Sequence, residues 1–425
     1  MLSRQTLLAE PERVQQALVN RGMPADTLDP ILDLAQRRLA LLQVDQELRE
    51  NRNRLSSEIP KASGEARAAM VAEVGGIKAQ MATTTADLRV VEEELDLALM
   101  SLPNLPDPRV PVGPGEEGNV VIDTDPPGAA MDFAPQAHWD LGPALGLLDF
   151  ERGVKISGSR FYVLREGLAR LQRALIAYLL DVHQANGFRE LYLPFVTRQE
   201  ALRGAGQLPK FADNLYHDVE DDVWLVPTAE VPITAFHAGE IIPAEELPLR
   251  YCAYTPCFRR EKMSAGRDVR GMKRGHQFDK VELYVLCEHD QAEAEFERIL
   301  KSARGAAQSL GLRTRIKELC TGDLGFGAQR TYDIETWAPG CGEWLEVSSV
   351  STCGAFQARR SNIKTRAGQD KAHLVTTLNG SGLGIPRTMI SIIETWQQAD
   401  GSIVVPPVLR DRVGTDRIGP AASKA

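Results

Sequence analysis

The stretch from Ile31 to Met100 constrains this chain more than any other, because it holds only three glycines, Gly64, Gly75 and Gly76, and interleaves charge of both signs with Leu, Val and Ala. Leu34, Leu41, Leu48 and Leu55 recur every seven residues. Beyond them Met70, Val74, Ile77, Met81, Thr84, Leu88, Val91, Leu95 and Ala98 alternate in steps of four and three. Both patterns are seams of long helices, divided by the breaker IPKASGEA around Pro60 and Gly64. The expectation is an antiparallel helical hairpin with legs of about 30 residues, roughly 45 Å each at 1.5 Å per residue, too long for the inside of a compact domain. On pattern alone, dimerisation is the plainest use of such a hairpin. Arg37, Arg38, Arg49, Arg52 and Arg54 are balanced by Asp33, Asp45, Glu47, Glu50 and Glu58, so a solvated face accounts for the charge and a nucleic-acid surface is only permitted.

A different texture follows. SLPNLPDPRVPVGPGEEGN spaces Pro103, Pro106, Pro108, Pro111 and Pro114 too closely for a helix or a central strand. Past it come the apolar strands Arg189 to Val196, Val223 to Val226 and Lys280 to Leu286, with helix-like runs at Leu168 to Gln184 and Asp290 to Leu310. The mixture predicts an α+β fold with a largely antiparallel sheet. The expected organisation is an N-terminal helical domain over 1–101, a linker over 102–118, a catalytic-sized domain over 119–410 and a frayed polar tail over 411–425. With 49 basic against 58 acidic residues the net charge is −9, which excludes a basic coat for indiscriminate nucleic-acid binding. The six cysteines form no C-x-x-C pair and read as reduced thiols. The opening residues MLSRQTLLAEPERV carry no long apolar run, and nowhere do 18 apolar residues stand together. A cytoplasmic protein with no membrane partner is expected.

The chemistry concentrates between Thr228 and Arg387. From Arg259 to Arg274, seven basic residues (Arg259, Arg260, Lys262, Arg267, Arg270, Lys273 and Arg274) face only Glu261 and Asp268. Strand-like alternation flanks this basic island, and it contains Gly266 and Gly271, with Gly275 just beyond. It reads as a hairpin loop, built to meet anions or simply solvated. Competing motifs are weak. Lys262-Met263-Ser264 lacks the second lysine of a class I synthetase loop, Gly380 to Gly384 is half a dinucleotide fingerprint at the wrong spacing, and no P-loop is present. His183, His217, His237, His289 and His373 are scattered singly and read as structural, so no zinc is expected.

Phe258-Arg259-x-Glu261 with His276-Gln277-Phe278 and Lys280-Val281-Glu282 resembles motif 2 of class II aminoacyl-tRNA synthetases. Within that class the resemblance is to the seryl-tRNA synthetase family. It extends to Thr228-Ala229-Glu230-Val231-Pro232, to Glu346-Val347-Ser348-Ser349 followed by Phe356-Gln357-Ala358-Arg359-Arg360, and to Leu378-Asn379-Gly380-Ser381-Gly382-Leu383 ending at the motif 3 arginine, Arg387. Their order and spacing agree along the whole chain.

The resemblance implies serine activation by ATP followed by transfer to tRNA(Ser), with tRNA(Sec) as a further candidate acceptor. It casts Arg259, Arg387 and Glu346 as catalytic residues. Arg259, Arg260, Glu261, Arg274, Gly275, Phe278, Glu346, Val347, Ser348, Ser349 and Arg387 would meet ATP. Thr228, Ala229, Glu230, Arg259, Glu282, Asn379 and Ser381 would meet serine, and Glu346 with Ser349 would hold Mg²⁺. It also implies a homodimer built on motif 1, the helix Leu168 to Gln184 and strand Arg189 to Val196, in which the arm of one subunit lies along the variable arm of a tRNA serving the other. RNA, not DNA, is the implied polymer. Alternatives remaining open are a paralogue that loads a specialised acceptor and a non-catalytic tRNA-binding regulator. Pro386 departs from the family's usual motif 3 and, by fixing its own φ beside Arg387, predicts a constrained aim for that arginine.

Overall fold

A computed structural model describes residues 1–262 and 270–420. The chain forms two compact units, Met1–Leu105 and Pro106–Ala425.

In the first unit two short helices, Arg4–Ala9 and Pro11–Asn20, precede α1 (Asp29–Glu58) and α2 (Gly64–Met100). At 30 and 37 residues, these legs span about 45 and 55 Å. From α2 the buried residues are Val74, Thr84, Val91, Leu95 and Leu99, so the stripe closes on Leu99 and not on Ala98. From α1 they are Ile31, Ala35, Asp45 and Leu55, while Leu34, Leu41 and Leu48 are only half-buried. The seven-residue row between the leucines reads Ile31, Arg38, Asp45, Arg52, which puts polar groups into the seam. Arg38 bridges the legs to Glu92 at 2.8 Å, and Asp45 is 9% exposed with its Oδ1 lacking a hydrogen-bond partner.

The second unit is built on eight strands: β1 (Val120–Thr124), β2 (Arg189–Leu191), β3 (Leu249–Phe258), β4 (Gln277–Cys287), β5 (Thr314–Glu318), β6 (Arg330–Ala338), β7 (Glu343–Gly354) and β8 (Thr376–Gly384). Their spatial order is β1-β5-β6-β7-β8-β4-β3-β2, antiparallel except where β2 joins β3. Further helices are α3 (His138–Ala144), α4 (Glu166–Ala185), α5 (Glu230–Phe236), α6 (Ala292–Ser309) and α7 (Ile385–Thr395). Alternation assigns the two faces of the sheet. Val281, Leu283 and Val285 of β4 join Leu171 and Leu175 of α4, Ile299 of α6 and Ile390 of α7 in one core. Tyr284 and Leu286 point the other way, into a smaller core with Ala229 and Ile233. Lys280 and Glu282 share that second face.

Three expectations need correction. The segment RELYLPFV is not one strand: β2 stops at Leu191, and Val196–Thr197 pairs instead with Val223–Leu225 in a separate small sheet. Residues 106–118 are not a free linker, for Val110 is buried with Leu319, Leu324 and Ala328, and the Asp107 N–H donates to the Gln329 carbonyl at 2.8 Å. Nor is 411–420 frayed, since Val413 and Ile418 are buried and Arg417–Ile418 pairs with Ile403–Val404. Residues 421–425 lie outside the described residues. All six cysteines are free.

Candidate active site

The second face of the sheet carries a cavity of about 460 Å³, lined among others by Glu230, Arg259, Glu261, Arg274, Phe278, Lys280, Glu282, Glu346, Ser349, Asn379, Ser381 and Arg387. A period of two places Lys280 and Glu282 side by side on β4. On β7 it would send Glu346 and Ser349 to opposite faces. A bulge prevents this: Ile334 pairs with Ser348 and Glu335 with Glu346, leaving Val347 as the extra residue. Val347 is buried against the first core and borders the cavity, on which Glu346 and Ser349 both open.

At the floor, Glu282 is 2% exposed and accepts a hydrogen bond from Thr228 at 2.6 Å, and Lys280 Nζ pairs with it and reaches Thr228 Oγ1 at 2.9 Å. Glu230, at the start of α5, accepts from Gln357 at 2.5 Å and Asn379 at 2.8 Å. Burial, then the charge of Glu282, pushes the Glu230 carboxyl up to about 7, against the pull of Lys280, Gln357 and Arg259. A carboxylate with so raised a value is poised to gain a cationic partner.

The upper wall is cationic. Arg259 lies over the Phe278 ring at 5.0 Å and donates from Nε to the Pro227 carbonyl at 3.2 Å. Glu261, held at φ +51°, accepts from Arg274 at 3.2 Å. Arg387 donates from Nη1 to the Glu346 carboxylate at 2.8 Å and from Nε to the Lys273 carbonyl at 3.3 Å. Burial would raise the Glu346 carboxyl, but Arg387, with Arg259 and Lys280 behind it, holds it below its ordinary value. Pro386 falls in the first turn of α7, where a missing N–H costs nothing, and the arginine that follows lines the cavity. At Gly275 a Cβ would lie 2.9 Å from the Gln277 carbonyl oxygen, so only glycine lets the chain fold this closely against the wall.

Four predicted residues are not in the wall. Arg260 is exposed and lies over Tyr216 at 5.0 Å. Ser348 is fully buried and donates to the Ser381 carbonyl at 2.6 Å. Ala229 sits in the second core and Thr228 one layer behind Glu282. Of the basic loop, Gly266, Arg267 and Asp268 lie outside the described residues. Lys273, Lys280 and Gln357 stand in the motifs and the basic island of the sequence but were given no role there; Lys273 and Lys280 line the cavity, and Gln357 donates to Glu230. His183 is structural, bonded to Ser302 and to the Gly382 carbonyl, each at 2.9 Å.

Residues 1–106 match the seryl-tRNA synthetase N-terminal domain, and residues 212–396 match the tRNA synthetase class II core domain (G, H, P, S and T). The serine--tRNA ligase of Roseiflexus castenholzii is 55% identical over 417 residues, 97% of this chain and 98% of the relative. The chain belongs to the seryl-tRNA synthetase family. Solved members agree in fold. The seryl-tRNA synthetase of Pyrococcus horikoshii, crystallised with ATP, superposes with a TM-score of 0.95 at 34% identity, covering 99% of this chain and 100% of that one. The cytoplasmic serine--tRNA ligase of Naegleria fowleri, in complex with AMP, gives 0.86 at 27% identity over 97% and 96% of the two chains. The family's α+β core and helical N-terminal domain are thus the architecture described above.

Proposed function

We propose that the cavity performs both half-reactions of serine--tRNA ligation. The serine carboxylate attacks the α-phosphorus of ATP in line and pyrophosphate leaves; a hydroxyl of the terminal tRNA ribose then attacks the acyl carbonyl and AMP leaves. Both steps require positioning and charge stabilisation more than a protein nucleophile. The observation that carries the reading is the meeting of Arg259 and Arg387 with the Glu230 and Glu282 carboxylates around one cavity. Arg259 meets the α-phosphate and the serine carboxylate, and Arg387 the far phosphate after leaving Glu346. Phe278 offers its second face to adenine, Glu261 the polar edge, and Arg274 a further phosphate contact. Glu230 and Glu282 receive the serine ammonium, which would be costly to bury without a counter-charge, with Asn379 and Ser381 beside them. A pocket that hydrogen-bonds a hydroxyl rejects an analogue lacking it by roughly 10⁴ to 10⁵, which disfavours alanine.

The carboxylate of Glu346 and hydroxyl of Ser349 fit a hard cation, and beside them Asp333 Oδ1 is buried without a hydrogen-bond partner. Glu346 and Ser349 would hold Mg²⁺, which offsets phosphate charge that the arginines leave uncompensated. The helical hairpin binds the variable arm of tRNA(Ser) by shape and backbone, and the basic loop meets the acceptor end. A homodimer is consistent with Tyr192 at 86% exposed and Val196 at 48% beside the short strand β2. Among the described residues no helix is long and apolar enough to cross a membrane, which suits work in the cytoplasm. The test is charging of transcripts with radiolabelled serine. Tenfold or greater preference for tRNA(Ser) over an alanine tRNA is expected, and adenylate formation without any tRNA charging would overturn the reading in favour of a specialised acceptor; a tRNA(Sec) transcript reports the second substrate.

A further inference from the structure

Below the cavity, His138, Cys341 and Glu394 place a ring nitrogen, a sulfur and a carboxylate oxygen within 4.8 Å of one another. His138 and Glu394 are both fully buried. The spacing suits a metal, but the proton pattern does not. The Met272 N–H, a donor only, gives its hydrogen to His138 Nε2 at 3.1 Å, so Nε2 is the acceptor and Nδ1 carries the proton. Nδ1 lies 2.8 Å from Glu394 Oε1, and a cation there would have to displace that proton. Glu394 also accepts from the His138 N–H at 2.9 Å, the Cys341 N–H at 2.9 Å and the Cys341 thiol at 3.0 Å. Burial would raise its carboxyl, but these donors hold it below its ordinary value. It is an ionised, fully occupied acceptor.

What this network grips is the returning arm of the basic loop. Gly271, at φ +74°, comes so close that a Cβ would stand 2.1 Å from His138 Nε2. The neighbouring Trp139 ring lies beneath Arg270 at 4.8 Å and Lys273 at 5.3 Å. One residue beyond Met272, the Lys273 carbonyl receives Arg387 Nε, and Glu394 stands on the same helix, α7, two turns further on. The loop arm and the arginine helix are therefore joined twice, through Lys273 and through His138–Glu394.

We infer that His138, oriented by Glu394, is a positioning residue that fixes the Met272–Arg274 arm against α7 and so sets Arg274 and Arg387 for ATP. The inference rests on the ATP site proposed above and deepens it. Its test compares three substitutions. His138→Gln keeps an acceptor where Nε2 stood; His138→Asn keeps only a donor toward Glu394; His138→Ala keeps neither. The measurements are serine-dependent pyrophosphate exchange and, separately, calorimetric binding of ATP without serine, on variants whose melting curves show a folded chain. His138→Asn and His138→Ala should raise the KM for ATP about tenfold with the KM for serine within about twofold, and His138→Gln should recover most of the loss. Cys341→Ser, which retains a donor to Glu394, should leave both constants unchanged. Equal effects of Gln and Asn, parallel movement of both KM values, or an unchanged KM for ATP in folded variants would overturn the inference. If His138→Ala does not fold, the Gln and Asn pair decides. If the parent protein exchanges no pyrophosphate, the functional reading fails, while calorimetry still reports whether His138 sets ATP affinity.

Discussion

In the hairpin the ion pairs Arg49–Asp45 and Arg54–Glu58 each keep their arginine well open to water and Arg38–Glu92 is half-buried, and exposed pairs contribute about 0 to 1 kcal/mol each. In the cavity the side chains of Lys280 and Glu282 are 12% and 3% exposed, and Glu230, Arg259 and Arg387 converge within one enclosure. Charge in the first region serves solubility and register and, under the proposed function, contact with tRNA. Charge in the second is held where water is scarce, and there each removal leaves another group uncompensated. The two regions should therefore fail differently. Mutations in the cavity should erase adenylate chemistry, and mutations in the hairpin should erase only what depends on tRNA.

Deleting residues 31–100 is expected to have the largest effect, reducing tRNA(Ser) charging at least about 10³-fold while leaving pyrophosphate exchange within about threefold, in line with the share of nucleic-acid affinity carried by backbone contacts. Persistent charging would break the contrast. Arg259→Ala should lower exchange by about 10²- to 10³-fold, the usual cost of one preorganised donor, with tRNA binding in a filter assay little changed. Near-normal exchange would show that the cavity is not where adenylate forms.

The raised Glu230 value sharpens the contrast through pH. Its carboxyl must be ionised to receive an ammonium, and it ionises only as pH rises through about 7. Serine KM should thus climb about tenfold between pH 8 and pH 6, one pH unit costing a factor of ten below the pKa, while ATP KM stays flat. A flat serine profile would place the ammonium elsewhere. The smallest effect belongs to the hairpin: Asp45→Leu removes a buried oxygen without a partner and should raise stability by about 1 kcal/mol, read as a higher melting midpoint, with exchange unchanged.

The same contrast governs what the sequence made legible. A repeat of fours and threes marks a helical seam directly, because in a helix neighbours in the pattern are neighbours in space; hence the two legs, their breaker and the buried Leu55, Val74, Thr84, Val91 and Leu95 were legible, while the half-burial of Leu34, Leu41 and Leu48 and the end of the stripe on Leu99 were not. The polar row of Arg38, Asp45 and Arg52 runs beside the leucine row at the same seven-residue spacing, and the leucine repeat alone does not show which row faces the other leg. In the cavity the motif residues were legible as types, but their faces were not. Glu346 and Ser349 share a face through a bulge at Val347 that no local signal announces, and Ser348, between them, is withdrawn into the core. Gln357 and the His138–Glu394 network reach the site from distant positions, which only tertiary packing can reveal. A proline beside Arg387 reads as a constraint in the sequence, and only its place in the first turn of α7 makes it harmless. The tail and the proline-rich segment read as loose because their few apolar residues, Val110, Val413 and Ile418, bury against partners far away in sequence.

The most direct test of the central claim is pyrophosphate exchange into ATP with each of the twenty amino acids, each measured at the same enzyme concentration. Exchange is expected with serine, with alanine weaker by roughly 10⁴ or more and the remainder at background. Strong exchange with another amino acid, or none with serine, would contradict it.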